Sequence, residues 1–272
     1  LVSIAALRRR GFTPESLKMF VELCGISKAN SSVDYAMLEY CIREDLKLKR
    51  SRVMAILDPV KLVIDNYPEG QSEELVCPNH PQKPEMGTRT VTMSRELWIE
   101  QEDFAEVPPK GYRRLTIPAD GSPAKPVRLR NSYVIVPTSF EKDAEGNVVC
   151  VHADYLPETK SGTAGADSVK TKAAIHWLDA KTAVPAQFRM YDRLFTVPQP
   201  DSAEDFLTVL NRDSKFVSQG FVEPNVAAAA PETRYQFERI GYFVTDIKDH
   251  SAEHPVLNLA VGLRDSWGKN AR

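Results

Sequence analysis

Val127-Arg128-Leu129-Arg130-Asn131-Ser132-Tyr133-Val134-Ile135-Val136 is the stretch whose reading decides the fold. With a strand's period of two, Val127, Leu129, Tyr133 and Ile135 share one face while Arg128 and Arg130 share the other. A core-facing row opposite a cationic row predicts a half-buried strand rather than a helix. Downstream, Asp143-Ala144-Glu145-Gly146-Asn147 has turn chemistry and predicts a hairpin onto residues 148–155.

Similar short runs recur through most of the chain. Residues 53–57 and 61–67 read as strand, Asp58-Pro59 turn, strand; residues 89–93, 97–100, 115–117, 173–178, 186–191, 216–222, 234–245 and 256–263 read as further strands. Strands at roughly ten-residue spacing, with 19 prolines between them, point to barrels or sandwiches. The first fifty residues differ. Thr13 is an N-cap with Pro14 behind it, and Leu17, Phe20, Val21 and Cys24 recur at helical spacing before Gly25. A second helix is expected to open near Ser31, with Asp34 in a capping box and a stripe of Leu38, Cys41, Ile42 and Leu46. A late helix is expected, capped by Asp201 or Ser202 and buried through Phe206, Leu207 and Leu210.

The 272 residues are 42% hydrophobic and 26% charged with net charge -2, an ordinary globular balance with room for two compact units. No apolar run approaches the ~20 residues of a membrane-spanning helix, and the absence of an initiating Met suggests an excerpt of a longer chain. Cys24, Cys41, Cys77 and Cys150 are scattered, which argues for reduced thiols rather than a zinc site. A pI near 6.3 supplies no bulk attraction for nucleic acid, so any RNA binding rests on locally placed cations. Candidates are Arg8-Arg9-Arg10, residues 47–52, residues 110–114 with Tyr112 interleaved, and the Arg128/Arg130 face, which is also readable as a solvated face beside carboxylates. Arginine forks suit phosphates and base acceptors, and an interleaved aromatic suits base stacking. Enzyme readings are poorer. Cys77, His80 and Asp246 have no reason in sequence to meet, His176 reads as a satisfied strand histidine, and Thr92-Met93-Ser94-Arg95 lacks the lysine of a nucleotide loop and sits in what reads as a hairpin.

Several blocks together resemble one family. These are Leu7-Arg8-Arg9-Arg10-Gly11, Cys41-Ile42-Arg43-Glu44-Asp45-Leu46, Asp58-Pro59-Val60-Lys61-Leu62-Val63-Ile64 and Pro78-Asn79-His80-Pro81-Gln82-Lys83-Pro84-Glu85-Met86-Gly87. They continue through Ile175-His176-Trp177, Tyr191-Asp192-Arg193-Leu194-Phe195, Gln236-Phe237-Glu238-Arg239 and Val261-Gly262-Leu263-Arg264-Asp265. In this order they are similar to the anticodon-binding part of glutaminyl-tRNA synthetases, class I enzymes. The resemblance implies a mostly β fold: a helical subdomain (1–50), then two antiparallel β-barrels in tandem. The proximal barrel would take residues 51–109 and 191–272 and the distal barrel residues 110–190, with the chain crossing near Lys110.

It also implies roles. Arg52, Gln236 and Arg239 would hold the middle uridine of the anticodon. Arg114, with Arg113 and Lys110, would meet the third base, a guanine, while Arg128 and Arg130 would serve the first position and nearby phosphate. Lys28, Asn30 and Asp34 would touch the inside of the tRNA L. Gly111 departs from the family, standing where a glutamine is expected. Strict alternation separates Gln236 from Arg239, so a bulge or strand end is required between them. The implied partners are glutamine tRNA and an N-terminal catalytic domain in a cytoplasmic monomer. No metal and no cofactor is expected in this chain, since ATP belongs to the catalytic domain. Alternatives are the archaeal or eukaryotic type of glutamyl-tRNA synthetase, a stand-alone RNA-binding module, or an unrelated β-rich enzyme using Cys77 or Cys150.

Overall fold

The computed structural model describes residues 3–29 and 31–264. In chain order the elements are α1 (Ile4–Arg9), α2 (Pro14–Cys24), α3 (Tyr35–Lys47), β1 (Arg52–Val53), β2 (Ala55–Ile56), β3 (Pro59–Ile64), β4 (Glu73–Pro78), β5 (Thr88–Met93), β6 (Glu96–Glu100), β7 (Val127–Leu129), β8 (Val134–Lys142) and β9 (Val148–Leu156). They continue with β10 (Ala174–Ile175), β11 (Leu178–Asp179), β12 (Val184–Tyr191), β13 (Lys215–Val222), α4 (Pro224–Ala227), β14 (Arg234–Phe237), β15 (Gly241–Thr245) and β16 (Val256–Gly262). The fold is mostly β, with two barrel-like sheets and the N-terminal helices.

Two compact units share the chain: Leu1–Val53, Ala186–Gln219 and Asn225–Arg272 in the first, Met54–Pro185 and Gly220–Pro224 in the second. This division differs from the boundaries expected from the resemblance. Strands β3 and β6, before Lys110, share one sheet with β7, β8 and β9 after it, in the order β10-β7-β8-β9-β3-β6-β11. The parallel pairing of β3 with β9, Lys61 opposite Cys150 through Ile64 opposite Ala153, binds the two stretches into one unit.

In the first unit Thr13 and Ser16 exchange side chain-to-backbone hydrogen bonds at 3.1 Å, a capping box that starts α2 at Pro14. The Thr13 hydroxyl also donates to Asp45 of α3 at 2.6 Å, so the cap locks the two helices together. Leu38, Ile42 and Leu46 of α3 are buried with Phe12, Tyr242 and Val261. The α2 stripe is only half used, because Val21 and Cys24 are exposed. The second helix starts later than expected. Asp34 is itself the N-cap, its carboxylate accepting from Ala36 N at 2.9 Å.

The expected late helix is absent. Residues Pro200–Ser202 and Phe206–Val209 form two short 3-10 turns, and Phe206 and Leu207 are exposed. The apolar side chains meant to bury this helix find no core to pack on, so nothing offsets the cost of propagating it. The 127–136 run also splits, because Asn131 adopts a left-handed backbone (φ 56°) and turns the chain between β7 and β8. Residues 115–117 form no strand, only a bridge from Leu115 to Phe104. The expected hairpin around Thr92 is not formed, since β5 pairs with β4 while β6 pairs with β3 and β11. The 143–147 turn does close β8 onto β9.

The core of the second unit gathers Leu62, Ile64, Leu97, Val127, Leu129, Ile135, Val151 and Trp177. Val127 and Leu129 thus face inward as the alternation required.

Candidate nucleic-acid interface

In the first unit, Arg52 and Gln236 are register partners on the parallel strands β1 and β14, and Tyr242 of β15 stands opposite Gln236. The pairing is held by Gln236 N donating to Ser51 O at 3.0 Å and Glu238 N to Val53 O at 2.9 Å. Gln236 is buried, and the Nε of Arg52 is buried with no hydrogen-bond partner among the described residues. The Nε of Arg50, two residues earlier, is in the same condition. Burial pushes the Tyr242 phenol up, while the nearby Arg52 charge works against that shift.

The strand β14 ends at Phe237, and Arg239 lies in the turn to β15 with φ 67°. The strand end required between Gln236 and Arg239 is therefore present. A left-handed arginine costs of order 1–3 kcal/mol, and such strain persists where the surroundings fix it. Here Ile240 N closes the turn on Phe237 O at 3.0 Å.

In the second unit, Lys110, Arg113 and Arg114 lie in the loop after β6. Lys110 and Arg113 are exposed. Arg114 is held by the buried Asp103 carboxylate at 2.8 Å and lies over the Tyr112 ring at 4.8 Å. Gly111 has φ 85°, with open space where a Cβ would stand. A glutamine there would meet no clash but would need an unfavourable left-handed backbone.

Arg128 differs from expectation. One of its terminal nitrogens donates to Ser132 O (2.8 Å), Thr159 O (3.0 Å) and Ser161 Oγ (3.1 Å), and the other to Ala166 O. The guanidinium is answered by carbonyls rather than carboxylates, and it braces the 157–166 loop. Replacing Arg128 with alanine leaves these acceptors without their donor, at about 1–3 kcal/mol. Denaturant unfolding should show that loss while affinity for an anticodon stem-loop changes little; the reverse pattern would make Arg128 an RNA contact. Arg130 lies just past the end of β7, with its backbone fixed by Ile175 O and by Trp177 Nε1 at 2.9 Å.

Lys28 is exposed, Asp34 is the cap of α3, and Asn30 falls outside the described residues, as does Asp265. The Arg8-Arg9-Arg10 cluster is largely neutralised within its own unit. Arg8 pairs with Glu232 at 2.8 Å, and Arg9 pairs with Asp246 and Asp249 at 2.9 and 3.1 Å. Arg10 donates to Tyr35 Oη and Ala260 O, each at 3.1 Å, leaving its buried Nε without a partner among the described residues.

A cleft of about 980 Å³ opens beside it, lined by Arg10, Asp34, Tyr35, Arg189, Tyr191 and Arg193 among others. The arginines of this cleft come from two distant segments, Arg9-Arg10 and residues 189–193, which nothing in the sequence brings together. Sequence reading names the first as a cation cluster and part of the second within the Tyr191–Phe195 block.

The residues of the sets weighed as catalytic each have other partners. Cys77 Sγ points to Leu75 O, His80 Nδ1 accepts from Gln82 N, and Asp246 is engaged by Arg9 and Asn258. His176 meets Glu100 at 3.2 Å in the core. Among the described residues no helix is long and apolar enough to cross a membrane.

Comparison with known proteins gives the family. Two family models, each described as "tRNA synthetases class I (E and Q), anti-codon binding domain", match residues 51–156 and 174–246. The chain is 54% identical over 268 residues to the glutamine--tRNA ligase of Cupriavidus necator and 55% to that of Cupriavidus metallidurans, covering 98% of this chain and 45% of each relative. The glutamine--tRNA ligase of Vibrio parahaemolyticus is 50% identical over 267 residues, with 47% of its length covered. The chain thus spans about half the length of the curated relatives it matches. It belongs to the class I synthetase family for glutamate and glutamine and carries that family's anticodon-binding domains.

Proposed function

We propose that this chain reads the anticodon of glutamine tRNA for a glutamine--tRNA ligase whose catalytic part, with its ATP and glutamine sites, lies in sequence beyond these residues. The whole enzyme would attach glutamine to its tRNA through a glutaminyl adenylate, acting as a cytoplasmic monomer. One observation carries the reading: Arg52 and Gln236 are fixed side by side, with a buried arginine Nε lacking a partner among the described residues and Arg239 set in the adjoining turn. Uridine offers two carbonyl acceptors flanking one N–H. A carboxamide matches a carbonyl and that N–H together, and arginine donors match the remaining carbonyl. Bases splayed from a single-stranded loop expose these edges.

In the second unit, Arg114 is aimed by Asp103 and backed by Tyr112, which suits the O6 and N7 acceptors of a third-position guanine. Lys110 and Arg113 would meet backbone phosphates, and Arg130 would serve the first position. Lys28, Asn30 and Asp34, with the arginines of the cleft beside Tyr35, would face the inside of the tRNA L. Net charge -2 leaves phosphate attraction to these local groups.

An isolated glutamine anticodon stem-loop is expected to compete with full-length glutamine tRNA for the chain. A glutamate stem-loop should compete several-fold less well. Failure of the glutamine stem-loop to compete would overturn the assignment, and preference for the glutamate loop would move it to the glutamyl enzyme.

A further inference from the structure

A cluster on the second unit, made of residues with no role assigned above, has the chemistry of a metal site. Glu141 of β8 stands directly opposite Cys150 of β9, and His152 follows on the same face of β9 two residues later. One ligand atom from each lies within 4.8 Å of the others. Cys150 Sγ is 3.6 Å from His152 Nε2, and Glu141 Oε2 is 2.9 Å from that same nitrogen. The other ring nitrogen, Nδ1, is 2.9 Å from Asp65, which follows the end of β3.

We propose that Glu141, Cys150 and His152 bind a zinc-class divalent ion, with Asp65 orienting the imidazole and solvent in the fourth position. The distances carry the case. Metal–sulfur and metal–nitrogen bonds of about 2.3 and 2.0–2.1 Å at a tetrahedral angle separate the two donors by about 3.6 Å, the spacing found between Cys150 and His152. The corresponding nitrogen–oxygen edge is about 3.4 Å. Glu141, whose side chain is 62% exposed, needs only a half-ångström outward shift to reach it.

The donor set of one thiolate, one imidazole and one carboxylate suits zinc better than calcium or magnesium, which take oxygen. Thiolate and carboxylate together balance a divalent charge. Asp65 on the distal nitrogen completes the carboxylate–histidine–metal arrangement that fixes which nitrogen faces the ion. Lys61, opposite Cys150 on β3, does not compete for the place, since it pairs with Glu96 at 3.5 Å and lies over Trp98 at 4.4 Å. An ion here would tie the β8–β9 hairpin to the end of β3. Coordination takes the thiolate and the neutral imidazole, so the ion displaces the protons those groups carry.

The test is titration of the chelator-stripped chain with Co2+, read by the thiolate-to-metal band in the near ultraviolet and the intense visible bands of tetrahedral cobalt, followed by displacement with Zn2+. One equivalent is expected to bind. Cys150→Ser should abolish the near-ultraviolet band, His152→Gln should abolish saturable binding, and Asp65→Asn should weaken affinity about 10–100-fold. Cys24→Ser should change nothing, and far-ultraviolet circular dichroism should report a folded chain in every variant. The proposal fails if the parent chain gives no thiolate band, if the band survives Cys150→Ser, or if folded His152→Gln binds as the parent does. The cluster would then be only the hydrogen-bonded chain Asp65–His152–Glu141.

Discussion

Replacing Asp246 with alanine is expected to destabilise the first unit by about 3–5 kcal/mol, the cost of breaking a buried ion pair from one side. The carboxylate is fully buried and takes a bidentate grip from Arg9 at 2.9 and 3.2 Å, with Arg189 at 3.6 Å. Asn258 Nδ2 adds a bond at 2.6 Å, and the backbone N–H groups of Lys248 and Asp249 add two more at 3.1 and 2.8 Å. Its removal strands part of an arginine charge and leaves buried donors without acceptors. For a unit of this size the loss corresponds to a fall in Tm of roughly 10–20 °C, read by thermal unfolding.

The pH dependence has a definite sign. Burial alone would raise this carboxyl, but Arg9, Asn258 and the two backbone donors outweigh it and hold the group well below its ordinary 3.8. A carboxylate depressed in the native state contributes stability that is complete above the ordinary value. That contribution is lost as pH falls through the native value. The parent should therefore lose stability below about pH 4, and the Asp246→Ala difference should narrow there. A difference unchanged down to pH 2 would contradict the ion-pair account.

Glu223→Ala is expected to cost the second unit about as much, 3–5 kcal/mol on the order set by buried pairs. Glu223 is 2% exposed and receives Arg89 through Nε at 2.6 Å and Nη2 at 2.9 Å. Its carboxylate also accepts from Met54 N at 2.5 Å, where the chain begins this unit. Alanine leaves the half-buried Arg89 guanidinium without this carboxylate and the Met54 amide without an acceptor. Glu223→Gln keeps an acceptor and should cost markedly less. Equal losses for the two variants in urea unfolding would show that the lost charge accounts for the whole effect and that the retained acceptor contributes nothing. The neighbouring backbone is close-set, since a Cβ on Gly220 would run into the carbonyl of Ile56.

Features set by neighbouring residues were legible in the sequence. Thr13-Pro14 and Gly25 bound α2 because capping and left-handed termination are decided within one helical turn. The turn at Asp143 and the inward face of Val127 and Leu129 follow from equally local rules. Features set by distant partners were not. Spacing left Arg128 open between an anion contact and a solvated face, because its acceptors lie up to 38 residues downstream. Arg9 stood out only as part of a cation group, because its partner Asp246 lies 237 residues away. Spacing showed that Val21 and Cys24 share an apolar helix stripe, but periodicity does not say what covers such a stripe. Pairing of β3 with β9 is likewise a long-range choice, and it moved the unit boundaries from those the resemblance implied. The Arg52, Gln236 and Arg239 assignment came from the resemblance, while alternation alone supplied the strand-end requirement that β14 meets.

The most direct test of anticodon reading is equilibrium binding of glutamine tRNA against the same tRNA with its middle uridine changed, at two salt concentrations, for the parent chain and for Arg52→Ala and Gln236→Ala. A good bidentate base contact gives about 1–3 kcal/mol of discrimination. The parent should therefore prefer the authentic tRNA several-fold or more, the preference should persist at the higher salt, and either variant should erase it. Equal binding of both tRNAs, with affinity that only falls as salt rises, would contradict the account and reduce these residues to a cradle for phosphates.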